Sequence, residues 1–261
     1  MADAPAVAAT GKAKWTRLAT IGLLLAAAGP LLIVVGSLIW GLEDFTFFLI
    51  VSAIPLLGAF SMSRSNTWAK VGGIALAMLL CLGLFWTAFG LLVPTSFFDF
   101  MPGVLVMPGA LIGIIAGIGA IKATKRNEFT AEPVAGEKKG IRIVLTVVIA
   151  AAVVSGALTF LTKSTADEAD ADAVVVLTDF EYPEDEMSLA AGSTVYVRND
   201  DPVMHTFTVE DLDIDVELGP GSSKLIDIPA QAGTYIVFCR PHTMDIEDPG
   251  KDDMAATLTV E

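Results

Sequence analysis

Histidine and cysteine are both scarce in this sequence, with two of each among 261 residues. His205 and His242 both lie in the last hundred residues, outside every long apolar run. That excludes a bis-histidine haem held within the apolar segments. Those segments also hold no Asp, Glu, Lys or Arg, so the ionisable groups of a membrane proton or ion pathway are missing. Cys81 and Cys239 stand on opposite sides of a compositional boundary, which rules out a disulfide framework. Positive charge is nearly absent from the tail. Residues 164–261 carry 23 acids and 4 bases, a net −19, against a net +5 for residues 1–163. No nucleic-acid partner is expected for a tail so short of bases.

What is present divides at the same boundary. Hydrophobic residues make up 54% of the chain, yet its net charge is −14. A membrane part joined to an acidic, water-facing part reconciles the two figures. Five runs are long and apolar enough to span a bilayer, which takes about 20 helical residues. They are Leu18–Trp40, Phe45–Phe60, Val71–Val93, Val104–Ile121 and Ile143–Leu161. The first is too long for the apolar region of a cleaved leader, and further runs follow it. Bases alternate along the connections. Lys12, Lys14 and Arg17 precede the first run, and Arg64 and Lys70 separate the second from the third. Lys122, Lys125, Arg126, Lys138, Lys139 and Arg142 separate the fourth from the fifth, while the other two connections have no base. The positive-inside rule then predicts a cytoplasmic N-terminus and an acidic domain outside. Gly109, Gly113 and Gly117 recur at every fourth place, a smooth stripe suited to close helix packing within the chain.

The segment Thr162–Asp172 is small, acidic and without apolar pattern. It reads as a tether, at most about 36 Å long if fully extended. The expected plan is a helical membrane domain over 1–163, an acidic linker over 164–172 and an outer domain over 173–261. Strands are expected at Val174–Leu177, Thr194–Arg198, Thr206–Val209, Asp215–Leu218, Lys224–Ile228, Thr234–Phe238 and Ala256–Val260, with turn residues between them. That pattern points to an antiparallel sandwich or barrel.

The stretch FCRPHTM gives Cys239, His242 and Met244 at ligand-like spacing, and VMHTFTVE supplies His205 at a strand start. A thiolate, two imidazoles and a weak thioether are the donor set of a blue-copper site. Closed zinc sites favour more cysteine or histidine than the tail owns. A Cys–His nucleophile pair lacks an orienting third group. A two-copper thiolate centre needs a second nearby cysteine, and multicopper oxidase chemistry needs further histidines.

RNDDPVMHTFTVE, GTYIVFCRPH and MAATLTVE together resemble the cupredoxin family, the plastocyanin- and halocyanin-like small blue copper proteins. The resemblance covers residues 173–261 and implies an all-β Greek-key sandwich binding one copper ion in a type 1 site. It implies His205, Cys239 and His242 as equatorial ligands. It also implies an axial methionine just before the last strand, which is Met254. Met244, two residues after His242, is the alternative. Choosing Met254 lengthens the ligand loop Thr243–Asp253 beyond the family's usual few residues. The expected role is single-electron transfer at the outer face of the membrane rather than catalysis, with a redox partner such as a cytochrome. That partner is expected to be basic, because Asp245, Glu247, Asp248, Asp252 and Asp253 crowd the ligand loop. Copper transfer to another protein, or a structural place in a membrane complex, are the other roles open to such a chain.

Overall fold

The computed structural model describes residues 14–40, 46–126, 135–243 and 254–261. The chain falls into two compact units, residues 1–92 with 100–154, and 93–99 with 155–261. Its helices are α1 (Lys14–Trp40), α2 (Thr46–Ser63), α3 (Thr67–Gly83), α4 (Phe97–Lys125) and α5 (Ala135–Leu161).

Four helices among the described residues, α1, α2, α4 and α5, are long and apolar enough to cross a membrane. The third expected span, Val71–Val93, is broken. Asn66 starts α3 by accepting the Trp68 N–H (2.8 Å), but the helix stops after Gly83. Leu84 leaves the helical region (φ −116°, ψ 21°), and the chain continues as a 3-10 turn over Phe85–Leu92, bent by 54°. Gly83 is a weak helix former, and the aromatic run that follows loses side-chain freedom in a helix. A fifth crossing exists only if this bent pair counts as one span.

The glycine stripe on α4 is used inside the chain. A methyl group at Gly109 would stand 2.6 Å from the Gly22 carbonyl oxygen and 2.7 Å from the Ala26 nitrogen. Helices α1 and α4 therefore meet backbone to backbone, as small residues allow. Gly113 faces Leu23, and Gly117 faces Met62 and Ile74. Around them lie two apolar clusters, one of Ala19, Leu23, Ala59, Met62, Ala77 and Ala116, the other including Ala26, Leu80, Val106 and Ala110.

Among its described residues the second unit has eight strands: β1 (Ala173–Leu177), β2 (Glu186–Leu189), β3 (Thr194–Asn199), β4 (His205–Val209), β5 (Ile214–Leu218), β6 (Ser223–Asp227), β7 (Gly233–Phe238) and β8 (Ala255–Val260). They form a three-stranded sheet, β1-β3-β6, and a five-stranded sheet, β2-β8-β7-β4-β5. Val175, Val195 and Ile226 of the first share one core with Phe207, Val237 and Leu258 of the second. Seven strands match the sequence expectation to within about one residue at each end. The eighth, β2, was not expected, because Glu186–Leu189 is short and rich in weak strand formers. Its alternating burial is what seats it, with Met187 and Leu189 turned inward. The purely antiparallel expectation is also corrected. β1 runs parallel to β3, and β2 parallel to β8.

The segment read as a free tether is held against the sheets. Ser223 N–H donates to the Ser164 carbonyl (2.9 Å), and Asp172 N–H to the Thr194 carbonyl (2.8 Å). Ala166 N–H donates to the Ser223 hydroxyl (2.9 Å), and Thr194 N–H to the Asp172 carboxylate (2.9 Å). Its small residues, which gave no apolar signal, let its backbone lie close to the ends of β3 and β6.

Candidate metal centre

Strand register explains how distant residues meet. Along the β7–β8 ladder Phe238 stands opposite Ala255. One step further sets Cys239 against Met254, and Cys239 N–H donates to the Met254 carbonyl (2.9 Å). On the other flank of β7 lies β4, with Thr208 opposite Phe238. Two residues back along β4, the Thr206 hydroxyl oxygen accepts the Arg240 N–H (2.9 Å), and Thr206 N–H donates to Cys239 Sγ (3.3 Å). His205 opens β4 and so arrives beside the sulfur. The turn CRPH closes with His242 N–H donating to the Cys239 carbonyl (3.0 Å). Met254 N–H donates to the His242 carbonyl (3.2 Å), and the Thr243 hydroxyl to the Met254 carbonyl (2.9 Å). Both ends of the loop that separates His242 from Met254 are therefore tied together.

Cys239 Sγ lies 3.5 Å from His205 Nδ1 and 3.3 Å from His242 Nδ1, and the two Nδ1 atoms are 3.1 Å apart. Cys239 and His205 are fully buried, while His242 is half-buried. His205 Nε2 is 2.7 Å from an oxygen of the buried Asp201 carboxylate. That contact puts the ring proton on Nε2 and leaves the Nδ1 lone pair aimed at the sulfur. Burial works against an ionised Asp201. Hydrogen bonds from His205 and from the N–H groups of Phe180 and Asp179 outweigh it and hold the carboxyl below its usual range.

This donor set fits a soft cation. Two inward-facing Nδ1 atoms and one sulfur can share at most a proton or two among them, and they satisfy one another poorly as hydrogen-bond partners. One metal ion satisfies all three. Met254, 2% exposed and packed in the same core as Cys239, adds a thioether. His205, Cys239, His242 and Met254 thus fit a single type 1 copper ion. The structure brings together the three expected equatorial residues and pairs Met254 with Cys239 through the backbone. Met244 and the acidic residues of the ligand loop, Asp245 to Asp253, lie outside the described residues.

The site's protonation follows from burial. Burial pushes the Cys239 thiol up to about 11, although hydrogen bonds from Thr206 favour the thiolate. Burial, with His205 beside it, pushes His242 down to about 3. At neutral pH the metal-free site therefore holds a thiol and an uncharged His242. Copper binds the thiolate, so loading at pH 7 should release the thiol proton, about one per ion. From neutral pH up to about pH 10 the thiol proton makes affinity rise about tenfold per pH unit. Below about pH 3 His242 gains a proton as well and the slope steepens. Titration calorimetry in buffers of different ionisation enthalpy counts the protons. A count near zero at pH 7 would mean that the thiol is already ionised.

Three residues of this region escaped the sequence reading. Asp201 sat in plain view four residues before His205, where NDDP read only as a turn. Asn199 and Phe180 carried no signal of their roles.

Residues 149–250 match the family model described as "Cupredoxin-like domain". The match contains His205, Cys239 and His242 and ends before Met254. Among solved structures, an oxidised variant of amicyanin is 22% identical, over 38% of this chain and 90% of its own, with a TM-score of 0.30. A purple cupredoxin from Nitrosopumilus maritimus is 18% identical, over 34% of this chain and 100% of its own, with a TM-score of 0.27. Auracyanin from Roseiflexus castenholzii is 19% identical, over 34% and 95%, with a TM-score of 0.25. No curated protein matches the chain.

Proposed function

We propose that this chain, whose C-terminal part is a cupredoxin-like domain, is a membrane-anchored type 1 copper protein carrying single electrons on the outer face of the membrane. The convergence of Cys239 Sγ with the Nδ1 atoms of His205 and His242 carries this reading. When bound, copper supplies a reversible one-electron couple. The protein's part is to hold the donors in one arrangement for both oxidation states, which keeps rearrangement small. Cross-strand hydrogen bonds at Cys239, the Asp201 contact at His205 and the closed CRPH turn all serve that end. With Met254 as the fourth donor every donor would be a protein group and no position would be left open for a substrate, which favours transfer over catalysis. Ready copper donation to another protein would be better served by exposed donors, and Cys239 and His205 are fully buried.

Membrane anchoring draws on the apolar helices. Large side chains along them stay exposed, among them Leu38 at 60%, Ile50 at 65% and Val153 at 65%. A lipid bilayer is the solvent that suits such faces. Taking the bent α3 pair as one span gives five crossings. The alternation of bases then puts the N-terminus inside and the copper domain outside, with domain limits near 163 and 173.

The first test is the absorption spectrum of the purified chain with Cu(II). An intense visible thiolate-to-copper band is expected, and its absence overturns the reading. The second compares two methionines. Met254→Ala should shift that band and the reduction potential, whereas Met244→Ala should leave both within error. The reverse outcome would transfer the axial role to Met244.

The partner we propose is a basic redox protein such as a cytochrome, drawn by the acidic tail. Its electron-transfer rate should fall as salt rises, because the steering field is screened within about 8 Å at physiological ionic strength. Stopped-flow rates that are flat with ionic strength count against steering.

A further inference from the structure

Next to the proposed copper site lies a turn whose backbone does not suit its residues. Thr178 and Glu181 exchange backbone hydrogen bonds, Thr178 N–H to the Glu181 carbonyl (3.3 Å) and Glu181 N–H to the Thr178 carbonyl (3.0 Å). The two residues between them, Asp179 and Phe180, both have positive φ, 55° and 62°. A two-residue turn of this kind favours Asn-Gly or Gly-Gly, since a side chain at positive φ crowds its own backbone. A phenylalanine there is an outlier. Strain of this sort persists only where surrounding contacts over-determine it.

Those contacts lead to the copper ligands. Asp201 accepts the Asp179 N–H on Oδ1 (2.9 Å) and the Phe180 N–H on Oδ2 (3.0 Å). The same Oδ2 holds His205 Nε2 (2.7 Å). One buried carboxylate therefore fixes the turn and a ligand together. The turn in its fixed form sets the Phe180 ring edge-on to both imidazoles. Its centroid is 5.4 Å from that of His205 at 87°, and 5.0 Å from that of His242 at 85°. The ring is itself 37% exposed, so it stands between the ligand pair and solvent.

We infer that the Thr178–Glu181 turn is a built cap on the metal site, in which Asp201 is the positioning residue and Phe180 shields the two imidazoles from outside ligands. The inference rests on the copper reading proposed above. The cap keeps small anions, free imidazole and chelators from competing with protein donors. Glycine would relax the backbone but cannot shield, which accounts for an aromatic residue at a glycine-like position.

The test uses the full chain in detergent, loaded with Cu(II), and azide as the probe, followed in the visible band. Wild type should show the band and resist azide. Phe180→Gly should keep the band, keep or raise the melting temperature because the turn relaxes, and bind azide at least tenfold more tightly. Copper loss to a chelator should quicken by a similar factor. Phe180→Leu, which keeps bulk at the same place, should fall between the two. Asp201→Asn removes the negative charge on His205 and one of the acceptor oxygens. It should raise the reduction potential and open the site to azide with the turn loosened. If Phe180→Gly takes up azide and loses copper no faster than wild type, the cap is overturned although the copper reading stands. The same holds if Asp201→Asn changes neither potential nor azide binding. If wild type shows no band, the copper reading itself has failed.

Discussion

Cys239→Ser should abolish the intense visible band of the copper-loaded chain while leaving the β domain folded. The sulfur is the soft donor that makes the band, and a serine oxygen offers neither the polarisability nor the ionisation. Even the thiol sits at about 11 in this buried place, and a hydroxyl is a far weaker acid. Folding should survive because the site's frame is protein, not metal. Cys239 N–H stays paired with the Met254 carbonyl, and Arg240 N–H with Thr206. A serine oxygen is placed to accept the Thr206 N–H that the sulfur now accepts (3.3 Å). The expected result is a nearly colourless Cu(II) complex, with copper affinity down by tenfold or more and the melting temperature lowered by only a few degrees. Visible absorption and calorimetry on the same sample check both halves. A retained band would remove Cys239 from the metal.

How much of this was legible in the sequence depends on what each feature rests on. The Cys239–His242 pair of the candidate site was legible because its spacing is dictated locally. A cysteine ending a strand and a histidine three residues on need only one turn, whereas Met254, directly before the last strand, was named through the family resemblance, and the β7–β8 pairing sets it beside Cys239. His205 required the further guess that its strand lies beside β7, which the count of two histidines made for it. Seven strands were legible from alternation and turn residues. The strand β2 was not, since Glu186–Leu189 has poor intrinsic preference and exists through its parallel pairing with β8. Parallel pairing joins segments far apart in sequence and leaves no local mark. The bend after Gly83 was hidden inside an unbroken apolar run, because hydropathy measures solvent preference and not helical continuity. The Phe180 turn was invisible for a different reason. Asp-Phe does not ask for positive φ, and only the buried Asp201 carboxylate, 21 and 22 residues away, imposes it.

Asn199→Ala should cost the β domain more than any change to a ligand. Asn199 ends β3, is fully buried, and ties three segments together. Its side-chain nitrogen donates to the carbonyls of Val203 (2.8 Å), Leu218 (2.9 Å) and, more weakly, Gly219 (3.2 Å). Its side-chain oxygen accepts the Asp201 N–H (2.9 Å). Alanine leaves those groups without their partner. A buried polar group stripped of its partner costs about 1–3 kcal/mol, and such costs are not fully additive. About 3–5 kcal/mol is the expected loss, a large share of the 5–15 kcal/mol that typically holds a domain together. For a domain of this size the melting temperature should fall by roughly 12 °C or more. Asn199→Asp keeps the oxygen but turns a second oxygen toward the carbonyls, so it should be no better than alanine. Thr257→Ala, exposed on β8, should stay within about 0.5 kcal/mol of wild type. The loss should also reach the metal, because the residues between Asn199 and His205 include Asp201, which orients the His205 ring. A weakened or shifted copper band is therefore expected in whatever fraction of Asn199→Ala remains folded. Calorimetry of the three variants, with their spectra, separates the cases. A fall of less than about 5 °C for Asn199→Ala would mean that this side chain does not hold the segment between β3 and β4.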